Sequence, residues 1–278
     1  MELDLRDRVV VVTGAARGIG AVIAQRFARE GARVTALDLA FGEKAADGAD
    51  TDGSASHGVA ANGGPADGGS VDGSTVEEVV CDVADPDSVR AAVETVVARH
   101  GRIDVLVNNA GIAIEAPLAD LEWSAWQKSF DVNVGGTFLM SQAVAPHMQE
   151  SGRGRILNAA SFAAIVPSVG GAAYAASKAA VVQLTRVLAS ELGPHGITVN
   201  AYAPGMVPTA MNGFAEMPAA QQDRLLDTLS LRRWESPDDV ADLLIFLASD
   251  QASYITGTLV DVSGGKLATQ IPARAYGR

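Results

Sequence analysis

The chain has little of what many functions require. Among its 278 residues there is one cysteine, Cys81, which excludes an internal disulfide and any cysteine-cluster metal site and suits a reducing, cytoplasmic setting. The four histidines, His57, His100, His147 and His195, lie far apart without ligand spacing, so no metal centre is expected. Positive charge is scarce: 21 Lys and Arg against 33 Asp and Glu leave a net charge of −12, the wrong sign for a nucleic-acid partner. No apolar run reaches the roughly 18 residues of a membrane span, and the opening "MELDLRDR" lacks the apolar stretch of a secretory signal. Hydrophobic residues are nonetheless 48% of the chain, enough for a substantial core.

What is present alternates between two periods. "RVVVVTG" (8–14) is a short, β-branched, uninterrupted apolar run, as expected of a strand buried on both faces. "IGAVIAQRFAREG" has helical spacing at Ile19, Ile23 and Phe27 and closes on Gly31, and "ARVTALD" returns as a second strand. "VEEVVCDV" ends a third strand, Asp85-Pro86 opens a helix to about His100, and "IDVLVNNAG" is a fourth strand with its loop. One long helix is expected from about Ser124 to Met148. Thereafter "GRILNAAS", "GITVNAYAPG" and "TGTLVDVSGG" read as strands, with helices over "AAYAASKAAVVQLTRVLASELG" and "SPDDVADLLIFLASD" between them. This order predicts an α/β fold: a single doubly wound, Rossmann-type domain over residues 1–278, its mostly parallel seven-stranded sheet covered by helices on both faces.

Residues 41–75 break the rhythm with nine glycines and almost no large apolar side chains. Such a stretch buries too little surface to offset its ordering entropy, and it reads as a surface insertion. Residues 41–78 also hold eight acids against Lys44 alone, −7 of the total −12.

Two motifs carry chemistry. "TGAARGIG" (13–20) follows the first strand and opens the first helix; glycines there allow a tight turn, and the helix N-terminus favours a pyrophosphate. "YAASK" sets Tyr174 and Lys178 one helical turn apart, about 5–6 Å between Cβ atoms. An ammonium so placed stabilises a phenolate, although the same spacing also suits a plain surface pair.

With Thr13-Gly14, Gly18, Gly20, "CDV", "NNAG", Asn133, Ser161, Tyr174, Lys178 and "PGMVPT" in order, the chain resembles the short-chain dehydrogenase/reductase family over nearly its whole length. The resemblance implies an oxidoreductase moving hydride between a nicotinamide cofactor and a small-molecule secondary alcohol or ketone. It makes Asn133, Ser161, Tyr174 and Lys178 the catalytic set, with Tyr174 as general acid–base, Ser161 on the substrate oxygen, and Asn133 linked through a water to Lys178. Cofactor contacts would come from Gly14, Arg17, Gly18, Ile19, Gly20, Asp38, Asp82, Val83, Asn109, Ala110, Gly111, Tyr174, Lys178, Pro204, Gly205, Val207 and Thr209. Asp38, ending the second strand, can accept from both adenosine ribose hydroxyls and repels a 2′-phosphate, which favours NAD over NADP; Arg17 pulls the other way.

An unperturbed phenol lies about three units above neutrality, so its deprotonation at pH 7 costs roughly 4 kcal/mol. Lys178 is expected to reduce that cost. Residues 205–230 are the expected substrate lid, with Met206, Met211, Phe214 and Met217, together with Ile114, Phe162, Val166 and Trp234, as candidate apolar walls. Two alternatives stand beside the NAD-dependent dehydrogenase: an NADPH-dependent 3-oxoacyl-thioester reductase, and a nucleotide-sensing protein without turnover. By family analogy, the helices bearing Asn133 and Tyr174 form dimer faces in a homodimer or homotetramer.

Overall fold

Val9, Val10, Val11 and Val12 offer water no polar face, and all four are buried in the central strand of a sheet. The computed structural model describes residues 3–42, 76–209, 214 and 216–277. Strands β1 (Val9–Thr13), β2 (Arg33–Asp38), β3 (Val76–Val80), β4 (Val105–Asn108), β5 (Gly154–Ala159), β6 (Ile197–Pro204) and β7 (Leu259–Val262) form one sheet in the order β3-β2-β1-β4-β5-β6-β7. Every neighbouring pair is parallel, so the sheet is parallel throughout. The order runs outward in both directions from β1 and β4, leaving a crevice at their carboxyl ends.

Helices α1 (Gly18–Arg29), α2 (Pro86–His100), α3 (Trp123–Phe130), α4 (Gly136–Ser151), α5 (Ala172–Leu192), α6 (Ala219–Leu226) and α7 (Pro237–Ala248) lie between the strands. The period-two alternation of β1 divides the core. Val10 and Val12 pack with Ile23 and Phe27 of α1 and Val240 and Leu244 of α7. Val9 and Val11 face Val89, Val93 and Val96 of α2 and Met140, Val144 and Met148 of α4.

Local signals set the helix ends. Asp85 caps α2 by accepting from Asp87 N, with Pro86 at the first turn, and Gly101 ends it at φ +76°. Ser236 and Asp239 form a reciprocal capping box on α7. Two buried side-chain amides stitch the sheet to its cover: Asn108 Nδ2 donates to Asn158 Oδ1 (2.9 Å) and Ser141 Oγ (3.1 Å), and Asn158 Nδ2 donates to Thr185 Oγ1 (3.0 Å).

The expected single helix from Ser124 to Met148 is two helices joined by a π-helical turn, Asp131–Gly135. Gly135 and Gly136 weaken helix propensity there. Gly136 also lets Val83 approach so closely that a Cβ would lie 2.7 Å from Val83 Cγ2. The third strand stops at Val80, so Cys81, Asp82 and Val83 belong to the turn after it. From residue 43 onward the Gly/Asp-rich insertion lies outside the described residues, as does Met211. The C-terminal segment folds back, Tyr276 donating its hydroxyl to Ser230 O at 2.6 Å. Among the described residues no helix is long and apolar enough to cross a membrane, and no cluster of three or more His, Cys, Asp or Glu side chains is placed to hold a metal ion.

Phe27 is fully buried between α1 and the sheet. Phe27→Ala is expected to lower unfolding free energy by about 3–5 kcal/mol, read from urea denaturation.

Candidate active site

The end of β1 is laced to the end of β4. Thr13 Oγ1 accepts from the N–H groups of Asn109 and Ala110, each at 3.0 Å. The Asn109 amide in turn donates to Thr13 O and Gly14 O, both at 3.1 Å. Its donors are therefore engaged by the glycine loop, and Asn109 holds that loop in shape. A Cβ at Gly20 would sit 2.1 Å from Gly14 O and 2.5 Å from Asn109 Nδ2, so no larger residue fits. Gly14 and Gly18 take φ of +65° and +60°, which glycine adopts without strain.

The start of α1 suits a dinucleotide. Its N-cap, exposed Arg17, makes no side-chain cap, the first turn has no acid, and the space beside Gly18 is open. The leading backbone N–H groups thus face an open, uncapped helix terminus, the arrangement a diphosphate requires. Ile19 packs partly against the core. At the end of β2, Asp38 accepts from Ala16 N (2.9 Å) and Leu39 N (2.8 Å). The bonds orient its carboxylate and tie it to the glycine loop, while each oxygen retains acceptor capacity. Beyond β3, Asp82 Oδ1 accepts from Ala84 N at 2.9 Å and Val83 is buried. Val207 is buried in the core as well.

The second half of the site gathers around α5. Lys178 is buried and its Nζ donates to Ala159 O at 2.8 Å. A Cβ at Gly111 would lie 3.1 Å from that Nζ and 3.0 Å from Asn133 Oδ1, so Gly111, Asn133 and Lys178 converge. The Asn133 side chain sits in the π turn, accepts from Ile112 N (2.9 Å) and donates to Ile112 O (3.0 Å) and Ser177 Oγ (2.9 Å). Ser177 Oγ donates onward to Tyr174 O at 2.7 Å. Asn133 thus pins the loop after β4 to the helix carrying Tyr174. Ser161 follows β5, accepts from Ala163 N at 3.1 Å, and lies near enough to the Tyr174 phenol to favour its ionised form.

Electrostatics differ from the sequence expectation. Burial raises the Tyr174 phenol above its usual value; the Ser161 hydroxyl opposes this and Glu115 adds to it. Lys178 does not hold the phenol acidic, because its Nζ is bound to Ala159 O and lies 5.9 Å from the Tyr174 ring centroid. Burial pushes Lys178 itself down to about 8.

Of the candidate walls, Phe214 stacks on Trp234 with centroids 5.5 Å apart, Val166 is exposed, and Phe162 and Met206 are buried. Sequence reasoning passed over two residues. Ser177 is one of the small residues inside "YAASK", where nothing but its hydroxyl marked it. Glu235 accepts from Gly205 N at 2.5 Å, and its burial leaves no local sequence signal.

The Lys178 shift has a signed consequence. With its folded value at about 8, below the usual 10.5, the unfolded chain binds more protons across that window, so stability rises with pH through it. Lys178→Met has no such term. Relative to wild type it should therefore lose about 3 kcal/mol of stability between about pH 8 and 10.5, measured by urea melts.

The family model described as enoyl-(acyl carrier protein) reductase matches residues 66–266. D-threitol dehydrogenase of Mycolicibacterium smegmatis is 42% identical over 264 residues, covering 95% of this chain and 94% of that protein. 3-Oxoacyl-(acyl-carrier-protein) reductase FabG of Thermotoga maritima is 36% identical over 263 residues, covering 95% and 99%. The crystal structure of gox2181 superposes with a TM-score of 0.83 at 35% identity, covering 96% of this chain and 98% of that one. With a parallel seven-stranded sheet, a glycine loop opening α1, and matches of this extent, the chain belongs to the short-chain dehydrogenase/reductase family of nicotinamide-dependent alcohol and ketone oxidoreductases.

Proposed function

We propose that the protein is an NAD-dependent dehydrogenase of a secondary alcohol, reversible as a ketone reductase, with Tyr174 as the general acid–base. The observation that carries the reading is the convergence of Ser161, Tyr174 and Lys178 beside an uncapped glycine-loop helix. Tyr174 takes the hydroxyl proton of the alcohol, or returns it to the carbonyl in reduction, and Ser161 Oγ bonds the same substrate oxygen as charge develops on it. A bound nicotinamide cofactor supplies the hydride acceptor or donor and, when oxidised, a positive ring. Lys178 would hold the nicotinamide ribose, while Asn133 keeps α5 in register with the loop at Ile112.

Asp38 supports NAD, because its oriented carboxylate can accept from the ribose hydroxyls and repels a 2′-phosphate. The glycine loop, with Gly14, Gly18 and Gly20, would hold the diphosphate, Asp82 and Val83 the adenine, and Ala110 and Gly111 the ribose. Pro204, Gly205, Val207 and Thr209 would lie along the nicotinamide half. A second reading, NADPH-dependent reduction of a 3-oxoacyl thioester, draws on exposed Arg17 and on the relative named as a 3-oxoacyl reductase. The reading takes the protein as cytoplasmic; a homodimer or homotetramer accords with Trp123, Phe138 and Val187, exposed on α3, α4 and α5.

Two measurements check the reading. Tyr174→Phe is expected to bind NADH within about threefold of wild type yet lose about 10²–10⁴-fold in turnover; retained turnover would remove the phenol from the mechanism. Absorbance at 340 nm across secondary alcohols, tetritols and 3-oxoacyl thioesters should favour NAD over NADP by about tenfold or more, and Asp38→Ser should narrow that preference. A tenfold advantage for NADP in the wild type would favour the thioester reading instead.

A further inference from the structure

Glu235 is buried, yet nothing in the functional reading uses it. It lies immediately before Ser236, the N-cap of α7, and is only 6% exposed. Its backbone N–H donates to Met206 O at 3.2 Å. Its side chain returns to the neighbouring residue, where Oε2 accepts from Gly205 N at 2.5 Å. The Gly205–Met206 segment is therefore gripped at both a donor and an acceptor by one residue from a distant element. Ser263, just after β7, closes the other side: a Cβ at Gly205 would lie 2.8 Å from Ser263 Cα and 3.3 Å from Glu235 Oε2.

The base under this grip is stiff. Asp239 accepts from Ser236 N (2.8 Å) and from both terminal nitrogens of Arg233 (2.6 and 2.7 Å). Arg233 is thereby committed to Asp239, and Glu235 Oε1 is buried without a hydrogen-bond partner. A carboxylate in this state carries half its charge into a site that offers it nothing. Burial, with Asp239 and Asp261 adding to it and Gly205 N–H and Arg233 opposing, pushes Glu235 up to about 8. At neutral pH it is a neutral acid that accepts from Gly205 N–H. A cavity of about 440 Å3, lined among others by Glu235, Met206, Asp261 and Ser263, adjoins it. Water there can hydrate the carboxylate once it ionises.

We propose that Glu235 is a positioning residue for the cofactor: it closes the Gly205–Met206 turn and so sets the affinity for the nicotinamide half of the dinucleotide. The proposal rests on the functional reading above, in which that turn borders the nicotinamide. Ionisation of Glu235 exchanges the clamp for hydration from the cavity and loosens the turn.

The test is NADH binding by fluorescence titration on the full chain, for wild type, Glu235→Ala and Glu235→Gln, with thermal unfolding alongside. Gln keeps an acceptor for Gly205 N–H and cannot ionise. Glu235→Ala is expected to weaken NADH binding about tenfold, and Glu235→Gln to stay within about threefold of wild type at neutral pH. As pH rises through about 8, wild type should lose affinity relative to Glu235→Gln. Wild-type affinity in a cooperatively folded Glu235→Ala, or equal weakness in the Gln and Ala variants, would overturn the proposal. If Glu235→Ala does not fold, the pH comparison decides: parallel affinity curves for wild type and Glu235→Gln overturn it. Failure of the wild type to bind either NADH or NADPH is a separate result, which overturns the functional reading and the proposal together.

Discussion

Everything in the site follows from the sheet's being parallel throughout. Parallel strands all end on one edge, and each crossover must deliver the chain to that edge through a loop. Gly14, Asp38, Asp82, Asn109, Ser161, Gly205 and Ser263 come at or just after the ends of successive strands, so residues more than two hundred positions apart meet along one line. Reversal of any strand would remove its member from that line. The crevice lies where β1 and β4 diverge in order, and there the loops are furthest free to open on a ligand.

Most polar groups along this edge are bound to other parts of the protein. Asn109 is tied to Thr13 and Gly14, Asn133 to Ile112 and Ser177, and Asp239 to Arg233 and Ser236. These contacts fix backbone positions. Tyr174 and Ser161 differ, for in the proposed mechanism their hydroxyls keep capacity for a substrate oxygen.

Two ionisable groups, Lys178 and Glu235, are buried without a counter-ion in hydrogen-bond contact. Desolvation brings both to about 8, from opposite directions. The common cause is geometric: each head group is held by one backbone partner, a carbonyl for Lys178 and an N–H for Glu235, and is otherwise enclosed. The phenol of Tyr174 also moves toward its neutral form on burial. An added positive charge beside Tyr174 would counter that shift, which is why the protein alone is not expected to present a free phenolate.

Much of the architecture was legible in local pattern. Continuous valine runs gave buried strands, 3.6-residue spacing gave helices, and Asp85-Pro86 and Ser236-Pro237 marked helix starts through short-range hydrogen bonds. The glycine loop was legible too, since close backbone approach at Gly20 and left-handed φ at Gly14 and Gly18 are demands that one residue type meets. The π turn at Asn133, the linking role of Ser177, the raised phenol of Tyr174 and the burial of Glu235 were not. Each depends on atoms brought from elsewhere in the chain: the Ile112 backbone, the Ala159 carbonyl, the Gly205 N–H. Residue type and spacing establish which groups are available. Desolvation and long-range hydrogen bonding, which exist only once the strands have assembled, decide what charge those groups carry and which atoms they hold.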